Sequence, residues 1–189
     1  MSKQNEYSRA IVELFSEKRL SNYSSFEDYL NNIRVSQHFY VELHMIEIGL
    51  RNKINTLLLK NLGKNWIHTH KYLLPEYCSK LDEAVDHDNY VANLTFGVWL
   101  HILNNHLKIF SNADLSYLFG LSKKQVNRQF RVILTELKLI KNFRNRVFHY
   151  EKINNHTRYL SIAKVINKFI KLLDIDSVLM DSIQKIRFK

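Results

Sequence analysis

Four glycines and one proline in 189 residues leave this chain few places to turn sharply. Sheet proteins need many tight turns, and glycine and proline supply the backbone angles that close them. Their scarcity points to long helices joined by short loops. The spacing of apolar residues agrees. Phe39, Leu43, Ile46, Leu50, Ile54 and Leu57 recur every three or four positions, which predicts one long helix over 35–62 with Gly63 as its stop.

The same rhythm predicts a first helix over 5–18, with Ile11, Leu14 and Phe15 on its apolar side. It also predicts helices marked by Phe96, Leu100, Leu103 and Leu107, and by Ile162, Ile166, Phe169 and Leu173. Ser25 with Asp28 reads as a capping box that opens a short helix through Ile33. Ser79 with Asp82 reads as another helix start, after the break at Pro75. Residues 112–120 form a short helix ending at Gly120, and Ser122 caps the helix after it, which runs at least to Asn145. Residues 174–189 read as weakly helical. With no internal repeat, low-complexity linker or composition break, residues 1–189 read as one all-α domain.

At 46% hydrophobic residues the chain is globular. No apolar run approaches the roughly 20 residues that span a bilayer, and MSKQNEYSRA lacks the apolar core of a secretory signal. A lone cysteine, Cys78, makes no internal disulfide and lies in no nucleophile signature. A cytoplasmic protein without a membrane partner is the expectation.

The net charge of +10 and a pI near 9.6 favour an anionic partner. The charge is local: between 122 and 152 nine lysines and arginines face two acids, giving +7 of the total. The apolar stripe of this segment is Val126, Phe130, Ile133, Leu137 and Ile140. Its next positions are Arg144 and Val147, so a guanidinium falls where a core side chain is due. Such a charge needs a carboxylate, with Glu47 a candidate, or a wet cleft. About half a turn away runs a polar stripe of Lys124, Arg128, Arg131, Lys138, Asn142, Asn145 and His149, suited either to solvent or to an RNA backbone. Asn145 and His149 are neighbours if the helix continues. Arg144 and His149, five apart, diverge by about 140° on an ideal helix.

LKLIKNFRNRVFHYE resembles the HEPN signature, in which Arg and a polar residue precede a His: here Arg144, Asn145 and His149. It looks specifically like the signature of the Abi-like proteins, a bacterial group associated with abortive phage infection. IEIGLRNKINTLLLKNLGKNW resembles that group's first block, with Glu47, Arg51, Asn52, Gly63 and Trp66 in matching places. LTFGVWLHIL resembles the middle block, and the resemblance spans about 18–165. Where relatives often carry a second His, Tyr150 follows His149.

The resemblance implies an HEPN-type helical bundle with additional helices that dimerises, bringing two motifs together across a cleft. It further implies a metal-independent, cofactor-free endoribonuclease that attacks with the ribose 2′-OH and leaves a cyclic phosphate. Such a toxin or phage-defence effector would work with an antitoxin or regulatory protein as partner. Imidazole titrates near pH ~6.5 and suits both halves of the proton transfer. The Arg fork suits a phosphorane-like transition state. Lys124, Arg128, Arg131, Lys138, Arg146 and Tyr150 are the expected RNA contacts. Glu47, Arg51 and Asn52 are the expected supports, Glu47 and Arg51 being placed for an ion pair on one helix.

Two rival readings remain. One is a non-catalytic HEPN module that binds nucleotides or RNA. The other is a DNA-binding helix-turn-helix over DLSYLFGLSKKQVNRQF. A metal site has weak support. His101 and His106 are five apart and His68 and His70 two apart, so neither pair shares a helix face. His38 with Glu42 does share one, and Asp86, His87 and Asp88 are a chance cation site. Trp66 and Trp99 read as core.

Overall fold

A computed structural model describes residues 8–78, 86–153 and 156–175. All regular structure among them is helical, in α1 (Arg9–Phe15), α2 (Glu17–Leu20), α3 (Phe26–Gln37), α4 (Tyr40–Leu62), α5 (Trp66–Thr69), α6 (His87–Asn93), α7 (Phe96–Asn105), α8 (Asn112–Phe119), α9 (Lys123–Phe148) and α10 (His156–Leu172). The all-α class expected from the turn-poor sequence is the class observed.

The main core lies among α4, α7, α9 and α10, with α8 closing the side between α4 and α9. Each helix joins it through the face its periodicity marks. Leu43, Ile46, Leu50, Ile54 and Leu57 of α4 are buried, as are Val126, Phe130, Ile133, Leu137 and Ile140 of α9 and Ile162, Ile166 and Phe169 of α10. The six buried residues of α7, which include adjacent pairs such as Val98 and Trp99, surround it with apolar contacts. Trp66 and Trp99 are wholly buried, their ring centroids 6.3 Å apart. Cys78 is buried too, and burial pushes its thiol pKa up, away from the reactive thiolate.

A second, smaller core joins α1, α2 and α3. Leu20, Tyr23 and Tyr29 are its buried centre, with Phe15 and Phe26 packed around them. Tyr23 and Tyr29 meet edge to face at 5.1 Å between centroids.

Three element boundaries differ from the sequence expectation. The first helix breaks at Ser16, whose φ of 60° interrupts the turn and whose hydroxyl then caps α2. The break lets Phe15 and Leu20 face the same small core. The long second helix starts at Tyr40, not at 35, because 35–37 complete α3. No glycine or proline marks that corner. It falls where the chain passes from the small core to the large one, and Phe39 anchors it edge to face on Phe143 at 4.9 Å. Leu107 lies in a short 3-10 turn beyond α7 and is partly exposed. The expected start at Ser79 and Asp82, and most of the tail 174–189, lie outside the described residues.

Helix ends follow local chemistry. Gly63 and Gly120, at φ 90° and 60°, terminate α4 and α8 in a region costly for side chains with a Cβ. Ser122 and Gln125 form a complete capping box on α9. Ser25 caps α3 through the Asp28 N–H, but the Asp28 carboxylate accepts from Ser24 rather than from Ser25.

Ser111 caps α8, and Asp114 completes its capping box and ties the helix to α4. Its carboxylate accepts from the Ser111 N–H and O–H, from Asn61 Nδ2 at 3.1 Å and from Lys60 Nζ at 2.8 Å. Burial alone would raise its pKa, but the Lys60 ammonium and the Ser111 and Asn61 donors outweigh that and hold it well below the usual carboxylate range. A folded pKa depressed in this way gives stability that is complete above the unfolded value near pH ~4 and is lost as pH falls toward and through the folded value. Lys60 is largely exposed, so solvent screening reduces its share in stability terms. Asp114→Ala is expected to cost about 2–3 kcal/mol at neutral pH. Thermal unfolding of variant and wild type should show that gap narrowing as pH drops below about 4.

Candidate functional site

The last turns of α9 carry Arg144 and Asn145, His149 follows as the helix C-cap, and each is held differently. Arg144 continues the buried stripe and meets the carboxylate of Glu47 on α4. Nε donates to Oε2 at 2.8 Å and Nη2 to Oε1 at 3.5 Å, a two-point engagement of fork and carboxylate. The pair is half-buried, with side chains 28% and 16% exposed. The guanidinium lies over the Phe148 ring at 4.6 Å, and Nη1 donates to Asn145 Oδ1 at 3.4 Å.

Helix α9 ends at Phe148, and His149 is its exposed C-cap. The His149 N–H still bonds to Asn145 O at 2.9 Å, while Tyr150 and Glu151 turn back to Val147 O and Arg146 O. This is a Schellman ending with Tyr150, at φ 57°, where glycine is usual. The hydrophobic contact that normally closes it is replaced by an ion pair, Arg146 Nε to Glu151 Oε2 at 3.3 Å.

The loop after His149 is then clamped by the small core. Asn32, 2% exposed, donates to Glu151 O at 3.1 Å and accepts from the Ile153 N–H at 2.6 Å. Arg19 donates to Tyr150 O at 3.1 Å. Lys152 reaches Asn22 O and Asp28 and lies over the Tyr23 ring. Arg146 also donates to Lys152 O. Neither Asn32 nor Arg19 was singled out from the sequence, since both act across more than a hundred residues. The available signal was that Asn32 shares the buried face of α3 with Tyr29 and Ser36.

Lys124, Arg128 and Arg131 are exposed on α9 and have no acidic partner among the described residues. Lys138 donates to Asn104 Oδ1 at 3.2 Å. From Lys124 to His149 the stripe runs about 37 Å. Arg146 holds the loop. Tyr150 is exposed.

Arg51 does not pair with Glu47, against the sequence expectation. It turns to Asn52 Oδ1 at 3.2 Å and Ala92 O at 3.5 Å. A planar fork in a half-buried seam outcompetes an i,i+4 helix pair worth only about 0.3–0.5 kcal/mol. Asn52 is exposed, and its side chain accepts from Arg51 rather than meeting the motif residues. No hydrogen bond or ring contact joins Arg144 to His149, so one chain leaves the two apart.

The histidines expected to lie on different faces, His101 and His106, come together with ring centroids 5.7 Å apart. His106 is the C-cap of α7, not a helical position. Burial, then His106, lowers the His101 pKa. Among the described residues no group of three His, Cys, Asp or Glu is arranged to hold a metal ion. Asp86 is committed as the cap of α6, and no helix there is long and apolar enough to cross a membrane.

Comparison with protein-family models, with curated proteins and with solved structures finds no match to this chain.

The Arg144–Glu47 pair has a direct test. In a double-mutant cycle of Glu47→Gln and Arg144→Gln, unfolding free energies should show a coupling of about 1–2 kcal/mol. Additive losses would mean that the pair is not formed in solution.

Proposed function

We propose that this chain is a metal-independent endoribonuclease of the HEPN, Abi-like type. The observation that carries the reading is the paired state of the motif. Arg144 is locked by a half-buried carboxylate and an aromatic face, while His149 stands exposed at the helix end. A structural Arg–Glu pair explains the first feature alone. It does not explain an exposed imidazole on a loop fastened by a buried amide, beside a basic cleft. Preorganised positioning of this kind is what phosphoryl transfer demands of a protein.

In the proposed reaction His149 takes the proton of a ribose 2′-OH as the 2′-oxygen attacks phosphorus. The P–O5′ bond breaks, and a second proton donor supplies the leaving 5′-oxygen. The products are a 2′,3′-cyclic phosphate and a 5′-hydroxyl. The Arg144 guanidinium carries the permanent charge for the phosphorane-like state, and Glu47 and Asn145 fix its direction.

A two-fold homodimer is part of the proposal, since Arg144 and His149 do not meet within one chain and one imidazole is a single proton carrier. A groove of about 260 Å³ between α9 and α10, lined by Leu139, Phe143, Ile162 and Val165, supports it. Leu139 is 50% exposed there, and an apolar face of this kind suits a self-complementary contact. A toxin or phage-defence role, with an antitoxin or other regulator restraining the activity, completes the proposal.

His149→Ala is expected to lower RNA cleavage by roughly 10²–10⁴-fold, with the fold unchanged because the side chain is exposed. Wild-type cleavage should persist in excess chelator. Equal rates in variant and wild type, or loss of activity to the chelator, would place the chemistry elsewhere. RNA binding without any cleavage would favour the non-catalytic module.

Light scattering at micromolar concentration should give twice the chain mass. A fully active monomer would remove the two-motif site.

A further inference from the structure

Beside His149 the loop and the small core enclose a cleft of about 440 Å³. One wall is the start of α2 with Lys18 and Arg19; the other is His149, Tyr150 and Lys152. Its volume is in the range of a small-ligand site.

The charges in the cleft are unevenly compensated. Arg146 has Glu151 and Lys152 has Asp28. Lys18 and Arg19 have no carboxylate among the described residues, and the Lys18 ammonium has no protein partner there at all. Arg19 spends one N–H on Tyr150 O, which leaves the rest of its fork for another acceptor. The Tyr150 ring is 59% exposed. Both walls carry a non-glycine residue at positive φ, Ser16 at 60° and Tyr150 at 57°. Such backbone persists only where the surroundings over-determine it, as at ligand sites. For Tyr150 the hydrogen bonds from Asn32, Arg19 and Arg146 to its loop supply that restraint.

We infer that this cleft seats one nucleotide of a single-stranded RNA next to the scissile bond, with Lys18 and Arg19 on its phosphate and the Tyr150 ring against its base. The inference rests on the ribonuclease reading of His149 and adds to it a substrate subsite built by the N-terminal helices. Two cations without a carboxylate among the described residues and an exposed aromatic ring, at a cleft of nucleotide size, are the pairing that single-stranded nucleic acid recognises. A free inorganic anion would use the cations but not the ring.

The test uses the full chain and a fluorescent octamer of 2′-O-methyl RNA, which lacks the attacking hydroxyl. Lys18→Glu should weaken binding about 10-fold or more at low salt. Each phosphate contact removed should flatten the plot of log affinity against log salt by about 0.7. Tyr150→Ala should weaken binding roughly 5-fold or more, and Tyr150→Phe should restore it. Lys64→Glu carries the same charge change just beyond the far end of α4, roughly 25 Å from Glu47, and should have little effect. Among the described residues the Lys18 ammonium makes no hydrogen bond or ion pair, and the side chain is exposed, so its variant tests the cleft and not the fold.

Equal weakening by Lys18→Glu and Lys64→Glu would reduce the effect to net charge and overturn the inference, as would wild type that does not bind. Cleavage of ordinary RNA with a KM indifferent to Lys18→Glu would overturn the subsite and leave the ribonuclease reading standing. Lys18-dependent binding with no cleavage would overturn the ribonuclease reading and keep the cleft as an RNA site.

Discussion

A guanidinium drawn half out of water must find an acceptor that stays in place, and in this protein that acceptor comes from another helix. Arg144 occupies a core register of α9. Glu47, one position past buried Ile46 on α4, meets it in the seam between the two. Removing either partner would strand the other in a poorly solvated place. The pair therefore fixes the rotation of α9 against α4 more narrowly than apolar contacts do, because hydrogen-bond geometry is directional and hydrophobic contact is not. Phe148 and Asn145, which complete the surroundings of Arg144, inherit that rotation.

What happens beyond the helix is governed separately. The chain leaves α9 through a left-handed tyrosine, an arrangement disfavoured by roughly 1–2 kcal/mol relative to the right-handed form. The loop is held by contacts from α2, α3 and the turn between them, part of a unit with its own aromatic core. The small core thus fastens the backbone that carries His149 instead of merely covering the bundle. Asn32 is the central link: it satisfies an N–H and a C=O of the loop at once, inside an apolar setting where leaving either unpaired is costly.

The fold was largely legible, and particular residues show why. The α4 and α9 stripes bury the side chains their three-four spacing marks, since burial of one helical face is set by local order along the chain. Gly63, Gly120, Ser111 and Ser122 stop or start helices through groups within a few residues of themselves. The failures share a cause. Ser16 breaks a helix that the local pattern would continue so that Phe15 and Leu20 reach one small core, and the corner at His38–Phe39 falls where the chain passes from that core to the large one. The Glu47–Arg51 pair looks favourable in sequence and loses to Arg144, ninety-seven residues away in the chain.

The candidate site divides in the same way. The sequence by itself determined an all-helical chain, the basic face of α9, and the anomaly of an arginine in a core register followed by an asparagine and a histidine. Those properties depend on residue type and on spacing within one helix. Only the tertiary structure decided that Arg144 faces Glu47, that the loop after His149 is clamped by the small core, and that Lys18 and Arg19 stand across a cleft from it. These placements are contacts between segments distant along the chain, and their energies depend on burial and on hydrogen-bond direction. Neither quantity exists until the helices have packed.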